Sequence, residues 1–253
     1  IARYGAHTSG EPTQGAGSIA MLISQDPQIL LLNDNFVAQT RDIMDFWRPN
    51  YSTTPYVNGI YSTKQYLDML KTTWAEFQKR FNTSLSDFSA FCFHLPFPKL
   101  ALKGFNKIMD KTLPADLQEK LKANFESSIL YSKQVGNIYT GSLFLGLLSL
   151  LENSENLVGG DNIAFFSYGS GAVAEIFTGT LVEGFKDKLK NSRLQELKQR
   201  IALSVEDYER IFFEEPVLDA DGNASFANYK TGTFALKEIR GHERIYGKTN
   251  EID

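Results

Sequence analysis

Cysteine is almost absent from this chain: Cys92 is the only one among 253 residues. A single cysteine excludes an internal disulfide and fits a reducing compartment. Histidine is scarce as well, with three residues. No second Cys/His cluster accompanies Cys92 and His94, so no metal-ligand set is expected. There is no excess of positive charge. Lys and Arg number 26 against 30 Asp and Glu, for a net charge of −4, which argues against general nucleic-acid binding. Long apolar runs are missing too. The longest, near Leu143 to Leu151, is too short to span a bilayer and contains Gly146 and Ser149. No stretch reads as a secretory signal. These absences lead us to expect a cytoplasmic protein with neither a membrane nor a nucleic-acid partner. An initiator Met is also lacking. The chain opens on Ile1-Ala2-Arg3-Tyr4 as if in mid-chain, so upstream sequence is expected to be missing.

What is present suits a large core. With 42% hydrophobic and 13% aromatic residues, the chain should bury about 70–75% of its unfolded surface. Residues 11–17 (EPTQGAG) form a glycine-rich turn, and Gly15 and Gly17 could bring backbone close to a ligand. An apolar strand over Ser18–Ile23 and a second over Gln28–Leu32 are expected to meet as a hairpin at Asp26-Pro27. Residues 42–59 are aromatic, proline-bearing and irregular, as loops that line sites often are. Tyr66, Leu67, Leu70, Trp74 and Phe77 then recur at helical spacing, with Ser62 or Thr63 as the natural N-cap.

Ala90 to Phe93 reads as a buried strand with Phe91 and Phe93 on one face. His94 therefore stands where a strand leaves the core. Pro96 and Pro98 forbid further pairing and suit the first turn of a helix. On that helix Lys99 and Lys103 lie one turn apart on one face. A polarisable imidazole followed by two aligned ammonium groups suits a ligand with a reactive carbonyl at one end and phosphates at the other. The bland alternatives are a hydrogen-bonded structural His and a solvated Lys pair. Cys92, among phenylalanines, is better read as a small core hydrophobe than as a ligand or nucleophile.

Residues 114–136 are read as one helix. Asn137 stands at the start of the next, which is apolar nearly all round from Leu143 to Leu151 and so expected to be buried. Asn137 either caps it or faces a pocket. Two strands, Asn162–Phe166 and Ala172–Thr180, flank Ser167-Tyr168-Gly169-Ser170-Gly171, a turn able to present N–H groups and hydroxyls to a carbonyl. The charged run 185–200 reads as a solvated helix face, and Ser204 caps a helix to Phe213. Residues 231–247 alternate as a last strand, with His242 outward and without a role. Mixed helices and strands place the chain in the α/β class.

Taken together, GEPTQGAGSIAM, DFWRP, FCFHLPFPKLALKG, NIYTGSLFLGLLSLLE and FFSYGSGAVAEIFTGTLVEG, in this order and spacing, resemble the 3-hydroxy-3-methylglutaryl-CoA synthases of the bacterial mevalonate-pathway type. The resemblance runs from Ile1 to about Tyr246. It implies a thiolase-like α/β/α/β/α layering, with residues 1–85 ending the N-terminal half (with a linker and an insertion helix) and residues 86–253 forming the C-terminal half. It implies condensation of acetyl-CoA with acetoacetyl-CoA, no cofactor beyond these substrates, and a homodimer. His94 matches the family's catalytic histidine. Lys99 and Lys103 match basic residues near the CoA phosphates and pantetheine. Ser62, Asn137, Tyr168 and Ser170 fall on or beside substrate contacts.

The departure is that the family's Cys nucleophile and Glu base precede the part matched here. The resemblance therefore implies a C-terminal portion that needs an N-terminal partner for turnover. A carrier-protein-dependent β-branching synthase and a non-catalytic CoA-binding fragment are the alternatives.

Overall fold

The computed structural model describes residues 3–190, 192–226 and 232–251. Two compact units divide the chain, residues 1–200 and residues 201–253.

In the first unit, β1 (Leu30–Thr40) follows a segment without strand or α-helix and precedes a loop holding the short pair β2 (Phe46–Trp47) and β3 (Tyr56–Val57). Helix α1 (Gly59–Phe81) comes next, then β4 (Ala90–Phe93) and α2 (Pro98–Ile108). Helices α3 (Ala115–Ser128), α4 (Leu130–Val135) and α5 (Gly141–Asn153) complete the crossover to β5 (Asn162–Gly169) and β6 (Val173–Leu181), and α6 (Arg193–Lys198) ends the unit. The four-stranded sheet has the order β1-β6-β5-β4. Its β4–β5 pair is parallel, while β5–β6 and β6–β1 are antiparallel.

Alternation along the strands sends side chains to two separate cores. Phe91 and Phe93 of β4 join Tyr66, Leu70, Phe77, Phe105, Phe125 and Phe166 on one face. Ala90 and Cys92 join Leu143, Leu150, Phe165 and Phe185 on the other. The first core is largely aromatic: Phe93 sits edge-on to Phe105 and Phe125, while Phe91 stacks on Phe93 with centroids 4.8 Å apart. Each such ring, fully buried, contributes about 1.5–3 kcal/mol of transfer free energy. Helix α2 reaches α1 closely at Gly104, where an added Cβ would stand 2.9 Å from a Leu70 methyl.

Several expectations change. Residues 18–23 form no strand and lie largely exposed, so no hairpin forms at Asp26-Pro27. Strand β1 instead continues to Thr40 and pairs with β6. The N-cap of α1 is Asn58, whose Oδ1 accepts the Tyr61 N–H at 3.1 Å, rather than Ser62 or Thr63. The span 114–136 is two helices that meet at Ile129. Helix α5 is not enclosed on every side, since Phe144, Leu147 and Leu148 open onto an apolar groove of about 1160 Å³ that also meets residues 18–24. The run 185–200 carries only the short helix α6 and a 3₁₀ turn, with residue 191 outside the described residues.

The second unit comprises α7 (Val205–Phe213), capped by Ser204 as expected, and a sheet of β7 (Ala224–Ser225), β8 (Phe234–Arg240) and β9 (Glu243–Lys248). The single strand read over 231–247 is thus a hairpin, turned by Gly241 and His242, both at positive φ. Residues 227–231, which complete those readings, lie outside the described residues. Among the described residues, no helix is long and apolar enough to cross a membrane.

Candidate functional site

Within the first unit, a cavity of about 370 Å³ is lined by Ser62, His94, Asn137, Tyr168 and Ser170, with Phe97 and Leu100 among its apolar walls. His94 is the first residue beyond β4. Its N–H donates to the Phe166 carbonyl at 2.7 Å, extending the β4–β5 ladder by one residue. Its carbonyl accepts the hydroxyl of buried Tyr66 at 2.9 Å. The backbone is thus held from both sides before Pro96 and Pro98 turn it into α2. Burial draws the imidazole pKa down to about 4, so His94 meets a ligand as a neutral ring near pH 7.

Behind the cavity wall stands Asp45, which is fully buried. One carboxylate oxygen, Oδ2, accepts the Ser62 hydroxyl at 3.0 Å and the Tyr168 hydroxyl at 2.9 Å. The other, Oδ1, accepts the Gly171 N–H at 3.0 Å. The Asp45 carbonyl also takes the Asn58 N–H, so the same residue ties the start of α1 to the loop. Tyr168 is held protonated: burial raises its pKa, and the hydrogen bond to Asp45 raises it further. Ser62 is therefore not a cap but a tether to Asp45, and the β5–β6 turn carrying Ser170 is fixed by the same carboxylate. Sequence reasoning marked the 42–59 loop as site-lining and passed over Asp45 itself. An Asp between Met44 and Phe46 was the available signal, because an acid in an apolar run must find partners.

Asn137 is placed by backbone zipping between two distant segments. Its N–H donates to the Thr13 carbonyl at 2.8 Å, and its carbonyl accepts the Gly15 N–H at 2.9 Å. Gly136 makes the turn at φ +84°. The glycine-rich turn thus approaches Val135 and Gly136 rather than a ligand: a Cβ on Gly15 would lie 2.5 Å from the Val135 carbonyl oxygen. The side-chain amide is oriented without ambiguity. Its Oδ1 accepts the Tyr139 N–H at 2.8 Å and the Ser142 hydroxyl at 3.0 Å. The backbone donor fixes which end is oxygen, and no hydrogen bond occupies Nδ2 among the described residues. Tyr4 and Tyr139 line the same region. Burial pushes the Tyr4 phenol up to about 12, with neighbouring Tyr139 adding to the shift.

Lys99 and Lys103 do not line the cavity. Both lie exposed on α2, in the two turns that follow Pro98. Cys92 is fully buried in the second core, and burial raises its thiol pKa, so it stays a protonated packing residue. Among the described residues, no group of three His, Cys, Asp or Glu side chains could hold a metal ion. The cavity therefore offers a neutral imidazole, a free amide donor and carboxylate-tethered hydroxyls against apolar walls. Such a lining suits an uncharged carbonyl-bearing group.

The chain is 47% identical over 223 residues to a hydroxymethylglutaryl-CoA synthase from Enterococcus faecalis, covering 87% of this chain and 57% of that protein. A crystal structure of HMG-CoA synthase complexed with CoA superposes with TM-score 0.93 at 78% identity, covering 98% of this chain and 64% of that one. A second structure, MvaS in complex with 3-hydroxy-3-methylglutaryl coenzyme A, gives TM-score 0.79 at 30% identity, covering 99% of this chain and 65% of that one. The chain thus spans roughly three-fifths of the relatives it matches, and its mixed α/β architecture is that of the thiolase-like synthases. The family model for the hydroxymethylglutaryl-coenzyme A synthase C terminal matches residues 33–116 and 105–248, and the chain belongs to that family.

Proposed function

We propose that the cavity receives the acyl end of an acyl-CoA thioester, and that the chain serves the condensation of acetyl-CoA with acetoacetyl-CoA to 3-hydroxy-3-methylglutaryl-CoA, with CoA released after hydrolysis. The observation that carries this reading is the convergence of His94, Asn137 and Ser170 from three distant segments on one apolar-walled cavity. The acetoacetyl ketone lies against the neutral His94 ring, which polarises it by donating a hydrogen bond to the ketone oxygen as negative charge develops there when the acetyl carbon adds. The Asn137 amide donates to the thioester carbonyl. Lys99 and Lys103, outside the cavity on α2, meet the phosphates at the far end of the ligand.

The nucleophile and the base are contributed by residues outside this sequence. Burial of Cys92 supports that assignment, because the one thiol present faces away from the cavity in the opposite core. The homodimer, the cytoplasmic setting and the mevalonate pathway enter this reading through the family resemblance. Incubating the purified chain with both acyl-CoAs, while following thiol release and product by mass spectrometry, tests it. Binding of acetoacetyl-CoA without condensation is expected. Steady product formation would overturn the assignment of nucleophile and base, and failure to bind would overturn the site.

A further inference from the structure

The Asp45 network fixes the hydrogen-bonding polarity of the cavity wall. A carboxylate has no proton to give, so each hydroxyl that bonds to it must be the donor. Ser62 and Tyr168 both give their single proton to Asp45 Oδ2, at 3.0 and 2.9 Å. Both residues line the cavity, while Asp45 lies wholly behind it. A hydroxyl engaged in this way has lone pairs alone left to offer a ligand. Asn137 has the reverse polarity: its oxygen is filled by Tyr139 and Ser142, and its NH₂ is left to donate. A ligand that satisfies this lining needs a carbonyl for Asn137 and an N–H for Ser62 and Tyr168.

We propose that Ser62 and Tyr168 are acceptor contacts for the secondary amide N–H nearest the sulfur of a pantetheine-type arm. This rests on the acyl-thioester reading above. The acetoacetyl group and the sulfur carry acceptors only, and the first donor along the ligand is that amide, a short ethylene spacer away. The same wall disfavours an oxyanion, because lone pairs would face lone pairs. Developing negative charge is thereby confined to the part of the cavity bounded by His94 and Asn137.

The test uses two non-hydrolysable acetoacetyl-pantetheine analogues with a methylene in place of sulfur. One retains the amide, and the other carries an ester oxygen in place of its N–H. Calorimetric Kd values on the wild-type protein should favour the amide by about 3- to 10-fold, the range of one net hydrogen bond. Tyr168→Phe and Ser62→Ala, each checked for folding by circular dichroism, should narrow that ratio. Asp45→Asn should narrow or invert it, since an Asn NH₂ turns the hydroxyl protons toward the cavity. Equal binding of both analogues by wild type, or an unchanged ratio in both Tyr168→Phe and Ser62→Ala, overturns the inference while the acyl-thioester reading stands. Failure of both analogues to bind overturns both readings. The pair attached to CoA should bind more tightly than the pair attached to an acyl carrier protein, and the reverse order would overturn CoA as the source of the arm.

Discussion

Replacing Asp45 with Ala removes the acceptor of three hydrogen bonds, from Ser62, Tyr168 and Gly171. The cost is less than three full bonds. The two hydroxyls stand at the cavity wall and regain water or turn to other partners, losing only the net value of about 0.5–1.5 kcal/mol each. The Gly171 N–H is partly buried, and leaving it unsatisfied costs about 1–3 kcal/mol. Relief of the buried charge offsets part of this total. A destabilisation of about 2–4 kcal/mol results for Asp45→Ala, and about 1–2 kcal/mol for Asp45→Asn, which keeps the volume and an acceptor for Gly171. Urea unfolding followed by tryptophan fluorescence measures it, because both tryptophans, Trp47 and Trp74, lie in the first unit. An Asp45→Ala midpoint within about 0.5 kcal/mol of wild type, or a more stable Asp45→Asn, would refute the view that this carboxylate organises the wall.

His94 carries a pH signature. Its folded pKa near 4 lies below the ordinary 6.5, so the unfolded chain binds the extra proton between those values. Stability is complete above about pH 6.5 and falls as pH drops toward 4, by about 1–2 kcal/mol after allowing for water at the cavity wall. His94→Asn should flatten that slope in urea titrations at stepped pH, and an identical slope would remove His94 as the cause. Gly15→Ala places a methyl against the Val135 and Gly136 backbone. It should cost about 1–3 kcal/mol, with weakened protection of the Gly15 and Asn137 amides in hydrogen exchange. Lys99→Ala with Lys103→Ala should leave the urea midpoint within about 0.5 kcal/mol while reducing affinity for CoA-borne ligands more at low salt than at high.

Local chemistry made some of the site legible and left the rest hidden. The exit of β4 at His94 could be read because two prolines within four residues allow little else. The apolar face of α1 could be read from its period, but its start could not. Asn58 caps the helix through its side chain, and Ser62, the residue that looked like a cap, is drawn to Asp45 instead. Strands were harder, because an apolar run becomes a strand only if an edge is available. Residues 18–23 have the composition without a partner. Residues 33–35 (NDN) lack the composition, yet Asn33 and Asn35 are satisfied by Thr178 and Thr180 of β6 across an irregularity in the ladder. Asp45 was hidden for the same reason. Its donors come from α1, from the end of β5 and from the turn after it, far apart in sequence.

The site itself is most directly tested at Asn137. Its free amide donor is predicted to hold the thioester carbonyl, so calorimetric titration of acetoacetyl-CoA into wild type and Asn137→Ala should show a loss of affinity of about 10-fold, the value of one well-placed hydrogen bond. Equal affinity in a folded Asn137→Ala protein would show that the acyl group does not lie in this cavity.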